Sequence, residues 1–214
     1  MKIIEKKFEY DAVICLMGEF PGENTVRKFS EKPLIAADGA GKVLLEHGIM
    51  PDYVVGDGDS FGESEPAKNF PSERFVKDPD QETNDFEKCL IFSFHKCWNR
   101  LLIIGFSGGL LEHTLNNWSV LKKYSATLQL AVYEHGRISY VLQKGKYEFH
   151  AKPGELISLI PQPSAVVTTH NLSYPLKNER LELGYREGAR NVFAADYATV
   201  EIVEGEVLAF IPAD

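Results

Sequence analysis

Two aspartates separated by one glycine, Asp57 and Asp59, directly follow the apolar run Tyr53-Val54-Val55-Gly56. In open α/β sheets, ligands bind beyond the carboxyl ends of the strands. Two carboxylates at such a strand end can share one hard cation such as Mg²⁺. Asp and Gly also favour simple turns. The spacing therefore indicates either a metal site or a turn rich in aspartate.

Two further aspartates could join this pair. Asp38 follows the apolar run Leu34-Ile35-Ala36-Ala37, and Asp85 is predicted in the first turn of a helix, where the helix dipole by itself favours a carboxylate. If the two strands are neighbours, these carboxylates meet at one edge of the sheet and repel each other. A cluster of this kind is tolerated when metal ions neutralise it, and Mg²⁺ typically binds through carboxylates together with nucleotide phosphates.

A glycine-containing loop indicates where the phosphates of a bound nucleotide could lie. Gly108 and Gly109 immediately precede a predicted helix that carries Glu112 and His113. The unpaired N–H groups at the start of that helix could bind an anion. His113 could donate to a phosphate or only cap the helix. The P-loop, dinucleotide-binding and nucleophile-elbow motifs are absent from the sequence.

The elements that must position these residues follow from the hydrophobic pattern. Up to residue 124, short apolar runs alternate with segments of helical period, which is typical of βα units around a mostly parallel sheet. Strands are predicted at residues 11–16, 33–37, 53–55 and 101–104. Two helices are predicted from apolar stripes formed by Phe86, Cys89, Leu90, Phe94 and Cys97, and by Leu111, Leu115, Trp118 and Leu121. Asn84 is the predicted cap of the first, with Glu87 three residues later.

After Tyr124 the pattern changes to strand-length runs separated by Gly, Pro and Asn at the spacing of an all-β sandwich. We therefore predict an α/β + β fold. A Rossmann-like α/β domain with a mostly parallel sheet would comprise residues 1–124, and an antiparallel β-sandwich residues 125–214. Residues 200–212, with Gly205 in their middle, are predicted to form a terminal hairpin.

The composition limits the classes of partner. The 214 residues contain 23 Lys and Arg against 31 Asp and Glu, for a net charge of −8, and no basic run is present. This disfavours a broad nucleic-acid or membrane footprint. Three cysteines without a CxxC pair favour a reducing, cytoplasmic location. No signal peptide or membrane-spanning run is predicted.

Taken together, the motifs resemble the thiamin pyrophosphokinase family. The resemblance rests on Asp38-Gly39, on residues 51–60, on Asp80-Gln81 followed by residues 85–90, and on Gly108-Gly109 followed by Glu112-His113-Thr114. It implies transfer of a pyrophosphoryl group from ATP to the hydroxyl of thiamine, with Mg²⁺, to give thiamine pyrophosphate and AMP. It also implies an α/β domain, a C-terminal β-sandwich, and a homodimer with active sites at the subunit interface.

Site residues follow from the resemblance position by position. Catalytic roles are implied for Asp57, Asp59, Asp85 and Glu112, of which the three aspartates are also implied metal ligands. ATP or its phosphates would contact Asp38, Lys88, Gly108, Gly109 and His113. Thiamine would contact Gln81, Tyr174 and Asn191.

The chain departs from the family pattern mainly on the substrate side. Tyr174 stands where the family has Trp, and Arg190 where it has a small Ser, while Glu112 replaces an Asp. Alternatives therefore remain: a related Mg²⁺-dependent pyrophosphokinase acting on another heteroaromatic alcohol such as a pterin, or a degenerate thiamine or nucleotide sensor. A phosphatase of the haloacid dehalogenase type, using Asp57 and Asp59, is a further alternative.

Overall fold

The computed structural model describes residues 1–4, 6–62 and 64–214. The chain divides into two compact units. The first unit is Glu9–Glu134, and the second combines Met1–Phe8 with His135–Asp214. The second unit thus contains the first strand of the chain, β1 (Lys2–Ile4).

A mostly parallel sheet was predicted from the alternation of strands and helices, and every strand pair described in the first unit is parallel. Its strands are β2 (Ala12–Cys15), β3 (Leu34–Ala37), β4 (Tyr53–Gly56), β5 (Phe75–Lys77), β6 (Arg100–Ile104) and β7 (Gln129–Glu134). They pair in the spatial order β7-β6-β2-β3-β4-β5. All of β2 and β3 is buried, as expected for parallel strands covered on both faces.

Among the described residues, four helices connect these strands: α1 (Glu23–Phe29), α2 (Gly39–Glu46), α3 (Asp85–His95) and α4 (Leu111–Tyr124). Short 3₁₀ turns cover Pro66–Asn69 and Ser72–Arg74. The predicted cap of α3 is confirmed, since the Asn84 side chain accepts a hydrogen bond from the backbone N–H of Glu87 at 2.8 Å. In the part of the chain that the structure describes, no helix is long and apolar enough to cross a membrane.

The predicted apolar stripes are wrong at their ends. Phe86, Cys89 and Leu90 are buried, but Phe94 and Cys97 are exposed because α3 ends at His95 and Cys97 lies beyond it with φ of 60°. In α4, the buried residues Val120 and Leu121 belong to its C-terminal half, whereas Leu111 and Leu115 are exposed. Only that half of α4 packs on the core of the first unit.

The second unit is built from strands. After β1 it contains β8 (Arg137–Leu142), β9 (Gly145–His150), β10 (Leu156–His170), β11 (Glu179–Glu182), β12 (Gly188–Val192) and β13 (Tyr197–Pro212). β13 pairs antiparallel with β8, β9 and β10, and β10 also pairs with β11 and β12. The chain is therefore α/β in its first unit and β in its second.

The predicted terminal hairpin is wrong, because residues 197–212 form one long strand. Gly205 is paired with Ala165 at an irregularity in the β10–β13 register. A Cβ atom on Gly205 would lie 2.1 Å from the backbone oxygen of Ser164. The glycine therefore permits a close approach between two strands where the sequence suggested a turn.

The division between the units falls ten residues after the predicted position near residue 125. β7 belongs to the first unit because it pairs in parallel with β6, from Arg100 opposite Gln129 to Ile103 opposite Val132. The first residues join the second unit because β1 pairs with β9. Both pairings join segments that are distant in the sequence.

Candidate active site

Three aspartates meet where β3 and β4 end. The two strands are neighbours, with Ala37 opposite Val55, so the residues that follow them emerge at the same edge of the sheet. Asp38, Asp57 and Asp59 each offer one carboxylate oxygen, and these oxygens all lie within 4.8 Å of one another. The expected convergence of carboxylates is thus present in the first unit.

Asp38 is the buried member of this group, with 1% of its surface exposed. Its Oδ2 accepts hydrogen bonds from the backbone N–H groups of Ser60 at 2.9 Å and Phe61 at 3.3 Å. Its Oδ1 is buried and has no hydrogen-bond partner among the described residues. Burial is the main cause that raises the pKa of Asp38. Burying a carboxylate oxygen without a partner costs free energy, and a hard cation such as Mg²⁺, which takes oxygen ligands, would satisfy that oxygen.

The backbone at Asp38 is itself unusual. Its φ of 27° and ψ of −100° lie outside the regions that non-glycine residues favour. Its N–H donates to the carbonyl of Val55 at 2.9 Å, and its carbonyl accepts from Gly41. Strain of this kind persists where surrounding contacts hold it, and it is frequent at functional sites.

Asp57 is held by a residue from a distant segment. The side-chain amide of Gln81 donates to Oδ2 of Asp57 at 2.9 Å, and the N–H of Asp59 donates to Oδ1 at 3.1 Å. The bond from Gln81 is the main cause that lowers the pKa of Asp57. The lowered pKa favours the ionised form of Asp57, and the two hydrogen bonds fix the orientation of its carboxylate.

α3 adds an acid and a base in its first turn. Lys88 is only 3% exposed, and its Nζ lies 3.5 Å from Oδ1 of Asp85. Burial raises the pKa of Asp85 to about 6, and the negative charge of Asp38 contributes in the same direction. Asp85 is thus electrostatically coupled to the carboxylate cluster, although it lies outside the group of three that share the 4.8 Å separation.

A cavity of about 480 Å³ opens beside these residues in the first unit. Of the residues predicted from the resemblance, those that line it are Asp57, Gln81, Asp85, Lys88, Gly108, Gly109, Glu112 and His113. Asp38 and Asp59 are not among its lining residues, but each has a carboxylate oxygen within 4.8 Å of one on Asp57. One cavity therefore brings together predicted metal, phosphate and substrate residues of the first unit.

The cavity is also lined by residues that were not predicted to belong to the site. They are Leu16, Met17, Gly18, Ala37, Thr83, Asn84, Phe86, Phe106, Leu110, Asn116 and Asn117. Asn116 lies one helical turn after Glu112, a spacing that places both on one helix face, so this residue could have been found from periodicity. Asn117 donates to the carbonyl of Phe106 at 3.0 Å and thereby fixes α4 to the preceding loop.

The loop after β2 was not predicted as part of the site, because its sequence contains none of the motifs that indicated the other residues. The N–H of Gly18 donates to Gly105 O at 2.9 Å, and that of Glu19 donates to Ser107 O at 2.7 Å. A Cβ on Gly18 would lie 2.3 Å from Ser107 O, and one on Gly108 would lie 2.5 Å from the nitrogen of Glu19. These two glycines therefore allow the two loops to pack directly against each other at the cavity.

Tyr174 and Asn191, the remaining predicted residues, lie in the second unit. Tyr174 is 72% exposed. The carboxamide of Asn191 accepts from the N–H of Tyr174 at 3.1 Å and from that of Val192 at 2.8 Å, and it donates to Tyr174 O at 2.7 Å. Asn191 thus holds the backbone of Tyr174 in place while the Tyr174 ring faces solvent.

Comparisons with known proteins identify a family and several relatives. Residues 28–133 match the family model described as thiamin pyrophosphokinase, catalytic domain. The chain is 26% identical over 188 residues to thiamine pyrophosphokinase 1 of Arabidopsis thaliana, covering 82% of this chain and 70% of that protein. It is 29% identical over 133 residues to thiamine pyrophosphokinase 2 of the same plant, covering 57% of this chain and 50% of that protein.

Solved structures share the fold. Thiamine pyrophosphokinase from Bacillus subtilis superposes with a TM-score of 0.78 at 22% identity, covering 95% of this chain and 99% of that one. Yeast thiamin pyrophosphokinase superposes with a TM-score of 0.82 at 15% identity, covering 99% and 90%. The matched residues 28–133 include every site residue that we predicted in the first unit. The chain is therefore a member of the thiamin pyrophosphokinase family.

Proposed function

We propose that this protein transfers a pyrophosphoryl group from ATP to the hydroxyl of thiamine, giving thiamine pyrophosphate and AMP. The observation that carries the proposal is the buried, unpartnered Oδ1 of Asp38 within a cluster of three carboxylates, one of which lines a cavity that also contains the buried Lys88. Family membership agrees with this activity. It does not favour a pyrophosphokinase acting on another alcohol.

The donor set fits Mg²⁺, because the cluster offers carboxylate oxygens and one of them, Oδ1 of Asp38, has no hydrogen-bond partner among the described residues. Asp57, Asp59 and Asp85 would hold the metal, and Asp38 would add its buried oxygen. When bound there, Mg²⁺ supplies positive charge that neutralises the phosphate oxygens of ATP.

The residues of the chain contribute position and charge. Phosphoryl-type transfer has a loose transition state, so placement and electrostatic stabilisation supply most of the catalysis. The ammonium of Lys88 and the side chain of His113 would contact phosphate oxygens. Backbone N–H groups at Gly108 and Gly109 would also donate to phosphate oxygens. Glu112 lines the cavity together with these residues.

The reaction exchanges one P–O bond for another. The hydroxyl oxygen of thiamine bonds to the β-phosphorus and gives up its proton to solvent, while the bond from that phosphorus to the α–β bridging oxygen breaks and AMP leaves. Gln81, Tyr174 and Asn191 are the residues that we assign to thiamine. The ring of Tyr174 offers a flat apolar face for stacking, and Asn191 supports it through the Tyr174 backbone.

The proposal extends to architecture, assembly and location. We assign a Rossmann-like α/β catalytic domain to the first unit and a thiamine-binding β-sandwich to the second. The protein would act in the cytoplasm as a homodimer with active sites at the subunit interface. Exposed apolar side chains at the start of α4, Leu110, Leu111 and Leu115, favour a partner on that surface. Analytical ultracentrifugation of the purified protein tests the dimer.

The decisive experiment incubates the purified protein with ATP, Mg²⁺ and thiamine, and identifies the products by chromatography. We expect AMP and thiamine pyrophosphate in equal amounts, and no AMP when thiamine is omitted. ADP, or phosphate formed without thiamine, would contradict the proposal and indicate kinase or hydrolase chemistry. Absence of any product would indicate another acceptor or a sensor.

A further inference from the structure

The loop of residues 105–110, which joins β6 to α4, is held by a carboxylate from the next strand. Glu134 is the last residue of β7, which pairs in parallel with β6 up to Val132 opposite Ile103. Because the two strands run in the same direction, Glu134 emerges beside the start of this β6–α4 loop. Its Oε1 accepts one hydrogen bond from the backbone N–H of Ser107 at 2.7 Å and a second from the Ser107 hydroxyl at 2.8 Å. One side chain thus fixes both the backbone and the side chain of Ser107.

Glu134 is the charged anchor of this loop. A carboxylate acceptor makes both of its bonds to Ser107 charge-assisted, and such bonds are roughly twice as strong as those between neutral groups. The other bonds that hold these residues join neutral groups, since the Ser107 carbonyl accepts from the N–H of Glu19 at 2.7 Å and the Phe106 carbonyl accepts from the Asn117 side chain at 3.0 Å. Within the described residues, Glu134 forms no ion pair, and both of its hydrogen bonds go to Ser107. Its carboxylate therefore serves the loop.

Ser107 immediately precedes the two glycines assigned above to the phosphates of ATP. Gly108 and Gly109 have positive φ values of 113° and 66°, which glycine adopts without strain. Their backbone N–H groups donate to no other described residue, so both are open to an anion. Glycine loses more conformational freedom on ordering than any other residue. The direction of these two N–H groups therefore depends on what fixes the residue before them.

Glu134 acts on the site only through Ser107. Neither residue is among those that line the cavity, and a carboxylate next to phosphate oxygens would be repelled by them. We propose that Glu134 is a positioning residue, which holds the β6–α4 loop in the conformation that binds the phosphates of ATP. Ordering the loop before the nucleotide arrives removes an entropy cost from binding. This inference rests on the proposed function and deepens it, because it assigns part of the affinity for ATP to a residue outside the cavity.

The first test measures the restraint itself in the free protein, by hydrogen–deuterium exchange of the Ser107 amide followed by ¹H–¹⁵N NMR. We expect exchange to be at least about tenfold faster in Glu134→Ala, because the amide loses a charged acceptor. Glu134→Gln should restore slow exchange, since a carboxamide oxygen has two lone pairs and can accept both bonds. Equal exchange rates in Glu134→Ala and the unmodified protein would overturn the proposal.

The second test measures the dissociation constant of ATP with Mg²⁺ by calorimetry, without thiamine, so that no transfer takes place. We expect Glu134→Ala to weaken ATP binding by about tenfold, the scale of a lost hydrogen bond to a charged group. Glu134→Gln should bind ATP nearly as well as the unmodified protein. Ser107→Ala, which removes only the hydroxyl bond, should weaken binding less. Adding it to Glu134→Ala should change little further, because the two residues share that bond.

The matched control is Asp11→Ala, which also removes a carboxylate that accepts backbone and side-chain hydrogen bonds. Asp11 directly precedes β2 and thus lies at the opposite edge of the same parallel sheet. We expect it to lower the melting temperature and leave ATP affinity unchanged. Unchanged ATP affinity in Glu134→Ala, or an equal loss in Asp11→Ala, would overturn the positioning role alone. Absence of ATP binding by the unmodified protein would contradict the proposed function and this role with it, so the two failures are distinguishable.

Discussion

The side-chain amide of Gln81 donates a hydrogen bond to Oδ2 of Asp57 at 2.9 Å, across 24 positions of sequence. This bond connects the segment that precedes α3 to the loop at the end of β4. It lowers the pKa of Asp57 and fixes the orientation of its carboxylate. The residue assigned to thiamine by resemblance is therefore also a positioning residue for an assigned metal ligand.

Gln81→Ala should weaken the response of the enzyme to Mg²⁺. Loss of an outer-shell partner of a metal ligand typically costs about 10–100-fold in metal affinity or activity. We expect the Mg²⁺ concentration for half-maximal rate to rise by about tenfold at saturating thiamine. Gln129→Ala, which removes an exposed glutamine at the start of β7, is the matched control. An unchanged Mg²⁺ response together with a raised KM for thiamine would leave Gln81 with a substrate role only.

Asp57→Asn and Asp59→Asn should each abolish most activity and preserve the fold. Both substitutions keep the side-chain shape and remove the charge that the cation requires. We expect kcat to fall by more than the ~10–100-fold that outer-shell changes cost, with a melting temperature close to that of the unmodified protein. Asp196→Asn changes an exposed aspartate of the second unit and should have full activity. A near-normal kcat in either cluster variant would refute the metal assignment.

Gly56→Ala should disturb Asp38 through direct contact. A Cβ on Gly56 would lie 2.5 Å from the Cβ of Asp38 and 3.1 Å from its Cγ. Because both residues are buried, the carboxylate must move, and overpacking of this kind typically costs about 1–3 kcal/mol. We expect a lower melting temperature and a loss of activity of at least about tenfold. A rise of about 1.4 kcal/mol in the activation free energy, caused by the displaced carboxylate, corresponds to that factor.

The control for this substitution is Gly39→Ala, next to Asp38 in sequence. A Cβ there meets its nearest neighbour, the sulfur of Met17, at 3.4 Å, which is an ordinary contact. We expect near-normal stability and activity from Gly39→Ala. Equal damage from the two variants would show that general crowding, and not displacement of Asp38, causes the loss.

Asp11→Asn should lower stability at neutral pH and lose this effect in acid. Asp11 accepts two hydrogen bonds from the Arg100 guanidinium, at 2.6 and 3.1 Å, and others from the N–H groups of Asn99 and Arg100. The Arg100 side chain is the main cause that lowers the pKa of Asp11. The stabilisation is therefore present above the ordinary pKa of an aspartate, 3.8, and is lost as the pH falls through the lowered value.

The size of this effect is modest because both side chains are partly exposed. We expect about 1 kcal/mol at pH 7, which corresponds to roughly 2–4 °C in melting temperature for a chain of this size. Thermal unfolding of Asp11→Asn and the unmodified protein, followed from pH 7 to pH 3, measures the difference. A difference that stays constant down to pH 3 would exclude ionisation of Asp11 as its cause.

Local sequence patterns predicted the parts of this molecule that depend on neighbouring residues. The β-strands before Asp38 and Asp57, the helix that begins at Asp85, and its cap at Asn84 were each predicted from periodicity and residue type. The convergence of the carboxylates was predicted on the condition that the two strands are neighbours, and the pairing of β3 with β4 meets that condition. The strands, the helix start and its cap depend on residues that lie within a few positions of one another in the sequence.

Tertiary structure decided which residues became partners. The bond from Gln81 to Asp57, the burial of Asp38 and the contact between Gly18 and Ser107 each join segments that are far apart in sequence. The same is true of β13, where the close approach of Gly205 to β10 replaced a predicted hairpin. Register between distant strands and packing of side chains are settled only when the whole core forms. Composition and periodicity therefore predicted the elements, but not these contacts.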